Sequence, residues 1–526
     1  MKPVSITVDI VHKRLVNLLV DKTPGPDGVH PMMLKMLADE LAEPITVLFR
    51  KSIDHRKLAL CWKTSNISVI FKKGLKCLAG NYRPISLTSI LCKILESIIR
   101  EQLVEHMIKN ALFSDRQYGF ISGRSAVLQL LLALDEWTEA LDKGEDIDVI
   151  YLDYQKAFDT VPHRRLMKKV QAYGFTENIE EWLSDFLIGR SQVVNIKGEH
   201  SEAKNIKSGI PQGSVLGPFL FVLFVNDLPE IVRSMLFLFA DDSKISRAIS
   251  ENNDKIILQN DLDAIVKWSD TWLMRIHPDK SAHVRIGKQM EVPQYEYMVG
   301  VRHVNYSTQE KDLGVVIDYE LKFDAHIHEK VKKANMMAGW VRRSFLYIDK
   351  YVFNMLYKSL VRSHLEHAAP VWNPHLARNI DKIEEVQIRA TKMVPGLRSM
   401  TYPDRLKHLQ LPTLVYRRIR GDMINVFKIM TGKYHAECCP KLTTTKEKTG
   451  FQGKHSKYLY QDRSRLDVRK FSFTQRVSSI WNTLPEDVVS AENVDIFKGR
   501  LDEHWEEEPV KYDHKAPLSH VRVTRM

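Results

Sequence analysis

The chain has 526 residues, of which 44% are apolar and 27% charged. That balance supports a packed core and excludes a collagen, a disordered tail protein and a disulfide scaffold. The formal net charge is +12, but it is uneven: residues 51–100 sum to about +8, 131–160 to about −7 and 321–526 to about +14.

An acidic block between two basic ones suits a protein that binds a polyanion and also holds cations. The cysteines Cys61, Cys77, Cys92, Cys438 and Cys439 form no CxxC pair and no even framework, which favours a reducing compartment and leaves a zinc knuckle unsupported. Residues 1–20 contain no uninterrupted apolar stretch, and the most apolar run, 215–225, is too short to span a bilayer. An intracellular protein without a membrane span is expected.

From the N-terminus, a helical apolar pattern leads to a loop at 21–28, where Pro24, Gly25, Pro26 and Gly28 interrupt any regular element. Met33, Leu34, Leu37 and Leu41 recur at helical spacing and predict one helix. Residues 62–71 read as a strand, followed by Lys72, Lys73 and Lys76, and 90–110 read as an amphipathic helix. Residues 148–154 are a short β-rich run holding Asp153 near its end. Helices are predicted after Pro162 to residue 173 and over 180–188, and a strand over 192–197. Residues 235–246 predict a tight hairpin whose turn is Asp241-Asp242, and 253–276 a long helix capped by Asn253 or Asp254. Beyond about 320 the chain turns helical and basic, with helices expected over 325–345, 351–364 and 381–394. His326 and His328 are assigned to the surface of the first of these rather than to a metal. Residues 506–526, charged with little periodicity, predict a disordered tail.

The chemistry concentrates at Asp153 and Asp241-Asp242. Either site alone is commonly a turn carboxylate. Three carboxylates beside apolar strands are costly to bury unless cations offset them, and they converge if the two segments are neighbours in one sheet. Such a set can hold two divalent ions roughly 3.5–4 Å apart, and Mg²⁺, which completes its shell with phosphates and water, suits it. The surrounding segments are Tyr154-Gln-Lys-Ala-Phe158-Asp-Thr-Val-Pro-His163, Ser208-Gly-Ile-Pro-Gln-Gly-Ser-Val-Leu-Gly-Pro-Phe-Leu-Phe221 and Asn226-Asp-Leu-Pro229. Asn81-Tyr-Arg-Pro-Ile-Ser-Leu87 and Gly119-Phe-Ile-Ser-Gly-Arg124-Ser precede them. The ordered set, spread over about residues 10–500, resembles the reverse transcriptase of LINE-class (non-LTR) retrotransposons of the jockey-like and chicken-repeat-like kind.

The resemblance implies an α+β right-hand polymerase. An N-terminal extension and fingers would occupy 1–130, a palm 131–320, a helical thumb-like region 321–435 and a basic C-terminal region 436–505. It implies that Asp153, Asp241 and Asp242 are catalytic and hold Mg²⁺ or Mn²⁺, and that Lys280 assists proton transfer to pyrophosphate. Arg83 would clamp the triphosphate, with Lys72 and Lys73 as weaker candidates. Phe158 would gate against a ribose 2′-OH, and Gly209, Gln212 and Gly213 would let the incoming nucleotide approach the backbone. Gly123 and Arg124 would contact the template, and Asp312-Leu313-Gly314-Val315 would grip the primer. Arg417, Arg418 and Arg420 are candidates for tracking phosphates.

The implied partners are an RNA template, a DNA primer or target and dNTPs, with no membrane and with protein partners unspecified. Action in the nucleus follows from the resemblance alone. No endonuclease is expected ahead of the polymerase segment, and no ribonuclease H-like acids after 320. The implied activity is RNA-directed DNA polymerisation. The alternative is a catalytically inactive nucleic-acid-binding remnant, while an RNA-dependent RNA polymerase is disfavoured by Phe158.

Overall fold

The computed structural model describes residues 1–196, 198–288 and 295–519. The strand Asp146–Leu152 sits in the middle of a five-stranded sheet because it is apolar on both faces. Side chains alternate across a strand, so Ile147 and Val149 enter one core while Ile150 and Leu152 enter another. This strand pairs antiparallel with Asp242–Ile249 and with Ala282–Ile286. Met235–Phe239 lies outside the first of these, and Asn305–Tyr306, parallel to Ala282–Ile286, outside the second.

The first core contains Ala126–Lys143 and runs without interruption into the helices beyond 320, reaching Trp505, Val510 and Leu518. The second core is covered by Ile90–Lys109, Gly217–Val225 and Asn252–Trp272. Gly217–Val225 is apolar on every side and correspondingly buried. Each large apolar side chain fully buried there contributes about 1.5–3 kcal/mol. Among the described residues no helix is long and apolar enough to cross a membrane. A second sheet pairs Tyr82–Leu87 antiparallel with Thr64–Phe71, which runs parallel to Ser191–Ile196. The architecture is therefore mixed α+β.

Several local expectations change in the folded chain. The single helix through Met33 and Leu41 is two, Pro31–Met36 and Ala38–Asp54, because Leu37 leaves helical geometry at φ −105° and ψ 27°. The break puts Leu34 and Ala42 inside while Met33 and Leu37 stay exposed. The 235–246 hairpin turns one residue earlier than expected: Phe239 pairs with Asp242, so the turn is Ala240-Asp241, with Ala240 at φ +56°. Asn252–Trp272 is capped by Glu251, whose side chain and that of Asp254 form a reciprocal capping box.

His326 is not on the surface. It is fully buried and its Nδ1 accepts from the Val316 N–H, 3.1 Å away. Burial pushes its pKa down to about 3. Residues 506–519, expected to lack order, pack instead: the Val510 carbonyl accepts from Thr413 Oγ1, and Leu518 joins the first core. The last part of the predicted tail, 520–526, lies outside the described residues.

Candidate active site

Leu152 pairs with Ser243 across the central sheet. Asp153 therefore follows the end of one strand beside Asp242, the first residue of its neighbour, with Asp241 in the adjoining turn. The turn is braced from below by Gln117, whose Oε1 accepts from the N–H groups of Gly119 and Ala240 at 2.8 and 3.0 Å. Asp153 is braced by the 275–280 segment: its carbonyl accepts from the His277 N–H at 2.7 Å, and Lys280 Nζ reaches its Oδ2 at 3.0 Å. That ion pair is about half exposed on both sides, so it contributes little to stability.

The electrostatics mark Asp241 and Asp242 as short of countercharge. Burial raises the pKa of Asp241, and the Asp153 carboxylate adds to the rise, while Arg83 and Lys72 oppose it. Asp242 is pushed up to about 6, first by burial and then by Asp241, Asp312 and Asp153. A cation relieves such a cluster. Among the described residues, no group of three or more His, Cys, Asp or Glu side chains stands assembled around one point. The set nevertheless fits Mg²⁺ or Mn²⁺ in its chemistry, being carboxylate oxygens only.

The wall beside the acids is made by two knitted segments. Ile210 and Gly209 donate their N–H groups to the carbonyls of Phe158 and Val161 at 2.8 and 2.9 Å. His163 Nε2 lies 2.7 Å from the Gly209 carbonyl, and Gln212 Nε2 donates to Asp159 Oδ1 at 2.8 Å. Ser86 of the second sheet donates its N–H to the Gln212 carbonyl at 2.7 Å. The glycines serve this packing. A Cβ at Gly209 (φ +89°) would lie 2.5 Å from the Asp159 carbonyl oxygen, and one at Gly213 (φ +116°) 2.4 Å from that of Ser86. Within the chain, their freedom admits this close backbone approach. Phe158 is half-buried and stacks on Phe221, with ring centroids 4.3 Å apart and an interplanar angle of 19°.

The remaining predicted residues divide. Arg83, Lys72 and Lys73 are exposed, and among the described residues their side chains have no ion-pair or hydrogen-bond partner. Arg124 is turned inward: its side chain is 3% exposed, its Nη1 donates to the carbonyls of Ser114 and Gln117, and its Nη2 faces His435 Nδ1 at 3.4 Å. It organises the 114–124 loop and presents no open face to a template. Gly123 packs on the same His435. Arg417, Arg418 and Arg420 are likewise engaged internally, with Glu366, Asn373 and Asp502.

The hairpin formed by Gln309–Asp312 and Val315–Asp318 has Leu313 and Gly314 at its turn, both at positive φ, as a two-residue hairpin loop favours. It is tied to the helix that follows, since Lys330 Nζ donates to the Gly314 carbonyl at 3.1 Å.

Sequence reading missed two groups. Lys244 lies two residues beyond Asp242 on the same strand face, and its Nζ is bonded to Asp312 of the hairpin. The side chains are 3% and 6% exposed, and the Trp137 and Phe237 ring centroids lie 5.6 and 5.5 Å from the ammonium. The strand reads Asp-Ser-Lys-Ile-Ser-Arg-Ala-Ile, so nothing in its local pattern singles out Lys244 as buried. The second group is Glu96, fully buried, whose Oε2 accepts from the N–H groups of Val215 and Leu216 at 2.7 and 3.0 Å. It fixes the end of the 208–216 loop at the start of the buried apolar helix.

Residues 70–317 match the family model described as reverse transcriptase (RNA-dependent DNA polymerase). The chain is 27% identical over 394 residues to the probable RNA-directed DNA polymerase from transposon X-element of Drosophila melanogaster, covering 72% of this chain and 42% of that protein. It is 27% identical over 409 residues to the RNA-directed DNA polymerase from mobile element jockey of the same organism, covering 74% and 44%. The probable RNA-directed DNA polymerase from transposon BS, also of Drosophila melanogaster, is 26% identical over 406 residues, again covering 74% and 44%. The chain thus spans less than half the length of these relatives.

Proposed function

We propose that this chain, a homologue of the RNA-directed DNA polymerases of jockey-like non-LTR retrotransposons, is itself such a polymerase and is built as a right hand. One observation carries the reading. Acids far apart in sequence, Asp153 and Asp241-Asp242, meet at the same end of adjacent strands, within electrostatic reach of Arg83 and Lys72.

In this reading the central sheet is the palm, the second sheet belongs to the fingers, and the helices after 320 form the thumb-like region. Asp153, Asp241 and Asp242 would hold Mg²⁺ or Mn²⁺, which would supply charge stabilisation for the phosphoryl transfer. Arg83, Lys72 and Lys73 receive the triphosphate. The Phe158 ring, held on Phe221, excludes a ribose 2′-OH. The 309–318 hairpin supports the primer end through Leu313 and Gly314. The primer 3′-OH attacks the α-phosphate of a dNTP opposite the RNA template: the new P–O bond forms as the bond from the α-phosphorus to the bridging oxygen breaks, the hydroxyl proton passes to solvent, and pyrophosphate leaves with a proton from Lys280. Action on RNA and target DNA in the nucleus follows from the same relationship.

Extension of oligo(dT) on poly(rA) with dTTP tests this. Asp153→Asn is expected to lower extension by about a hundredfold or more while primer–template binding persists. Undiminished extension would refute the role given to the acids. Binding by the wild-type chain without incorporation in either Mg²⁺ or Mn²⁺ would make it an inactive remnant.

A further inference from the structure

Helices Pro31–Met36 and Ala38–Asp54 meet at Leu37, and the longer one is covered on one side only. Its Ala38, Ala42, Ile45, Phe49 and Ile53 enter the second core. On the other side Leu37, Leu41, Pro44 and Leu48 recur at spacings of four, three and four residues, which lines them up along a helix. The Leu37 carbonyl accepts from the Leu41 N–H at 2.9 Å, so the stripe is continuous across the break. Leu37 is 44% and Leu48 42% exposed, and Met36, next to Leu37 at the end of the shorter helix, is 74% exposed. Apolar side chains at helical period thus stand in solvent opposite a side that is fully packed.

Contiguous exposed apolar surface of this kind marks an interaction site, and the charges around it select the occupant. Residues 31–54 hold three bases and four acids. That balance suits neither a polyanion nor the cation-flanked helix that lies on a membrane. Two of the charges border the stripe: Glu40 in the first turn and Lys51 in the last. They are eleven residues apart, about three turns, so they stand on one flank. Both are exposed, and among the described residues neither side chain has an ion-pair or hydrogen-bond partner. Two copies of this helix laid antiparallel bring like flank to like flank, which sets each Glu40 against Lys51 of the partner subunit. A parallel pair would leave Glu40 level with its own copy. The face is therefore complementary to itself about a two-fold axis, as an isologous contact demands.

We propose that the outer face of helix Ala38–Asp54 is a self-association surface on which a second copy of this chain docks antiparallel. The two-fold axis passes beside Pro44 and Val47. Leu37, Leu41, Pro44 and Leu48 of the two copies cover one another, and Glu40 of each copy pairs with Lys51 of the partner subunit on the rim. None of these residues belongs to the acid cluster at Asp153, Asp241 and Asp242, and the pairing does not need the chain to be catalytically active.

The test is sedimentation equilibrium of the full chain, free of nucleic acid, from nanomolar to tens of micromolar. The mass is expected to rise with concentration from 61.0 kDa to twice that value. Leu37→Glu/Leu48→Glu should leave only the monomer, with circular dichroism and the melting transition establishing that this variant is folded. Glu40→Lys and Lys51→Glu each replace two opposite-charge contacts by two like-charge ones, and each should weaken the dimer about tenfold or more. An equimolar mixture of these two variants restores opposite charges at both contacts and should recover the wild-type dimer. The combined variant Glu40→Lys/Lys51→Glu, whose net charge is unchanged, should recover it as well. A wild-type chain that stays monomeric throughout the range overturns the proposal, as does a dimer indifferent to Leu37→Glu/Leu48→Glu. Failure of both the mixture and the combined variant to recover the dimer refutes the antiparallel pairing. A monomeric wild type whose binding to phosphatidylcholine vesicles is lost in Leu37→Glu/Leu48→Glu would make this a membrane face and refute it too. Absence of dNTP incorporation by the wild-type chain would strike the polymerase reading and leave these measurements intact.

Discussion

The Lys244–Asp312 pair offers the sharpest energetic test. It joins the strand that carries Asp242 to the hairpin proposed to support the primer, and it is almost wholly out of solvent. Water screening is therefore small, and burial by itself pulls the Lys244 pKa down, with Asp312 holding it up. Removing one partner of such a pair leaves an uncompensated buried charge, which costs about 3–5 kcal/mol, whereas replacing both by apolar side chains of similar size is often neutral or stabilising.

Lys244→Met and Asp312→Leu should each lose stability in that range, and the double variant should return to within about 1–2 kcal/mol of the wild type. Urea unfolding followed by tryptophan emission measures these stabilities; one of the nine tryptophans, Trp137, has its ring centroid 5.6 Å from Lys244 Nζ. In primer extension the double variant should keep its KM for dNTP and raise its KM for primer–template, because the hairpin is no longer fixed in register with Asp242. A single Lys244→Met within about 1 kcal/mol of the wild type would refute the assignment of a desolvated pair. Full recovery of primer KM in the double variant would reduce the pair to packing.

Three further outcomes follow from the same geometry. Arg124→Ala should cost about 1.5–3 kcal/mol, from buried bonds made by a charged group, yet leave template affinity of the folded protein unchanged; a selective loss of template affinity measured by anisotropy would return Arg124 to the template. Gly213→Ala, with its Cβ 2.4 Å from the Ser86 oxygen at φ +116°, should destabilise by about 1–3 kcal/mol or more, while Gly80→Ala, with nothing within 4 Å, should change urea stability by less than about 0.5 kcal/mol. Burial lowers Lys169 to about 8, with the Asp227 carboxylate opposing. Between pH 8 and the ordinary lysine range the unfolded chain therefore binds more protons than the folded one, and stability should rise with pH across that window. The difference between the wild type and Lys169→Met in urea midpoint should show this rise, and a flat difference would refute it.

The residue pattern by itself determined several elements, such as the helices at 90–110 and 253–276, but not the helix Ala126–Lys143 or the strands Tyr82–Leu87 and Ala282–Ile286. The β-rich run read at 148–154 is a local signal and stands as the strand Asp146–Leu152, whereas the hairpin at 312–315 was legible only through the family resemblance. The acids were readable too, because carboxylates at the ends of apolar runs are conspicuous without any coordinates. What sequence could not assign was the partner of each polar side chain. Arg83 and Arg124 look alike in one dimension, but the first stands exposed on a strand within electrostatic reach of Asp241, and the second turns into a loop whose carbonyls need a donor. His326 was read as a surface residue because helical period alone does not say which neighbour, here Val316, covers a face.

The hairpin turn slipped by one residue because register is decided across strands: pairing Phe239 with Asp242 satisfies the ladder and leaves Ala240, not an aspartate, in the left-handed position. The order of the final segment likewise depended on Thr413 and a core that receives Val510 and Leu518 from far along the chain. Periodicity is a property of neighbours in sequence, whereas burial, countercharge and register are settled by residues that only the tertiary fold brings into contact.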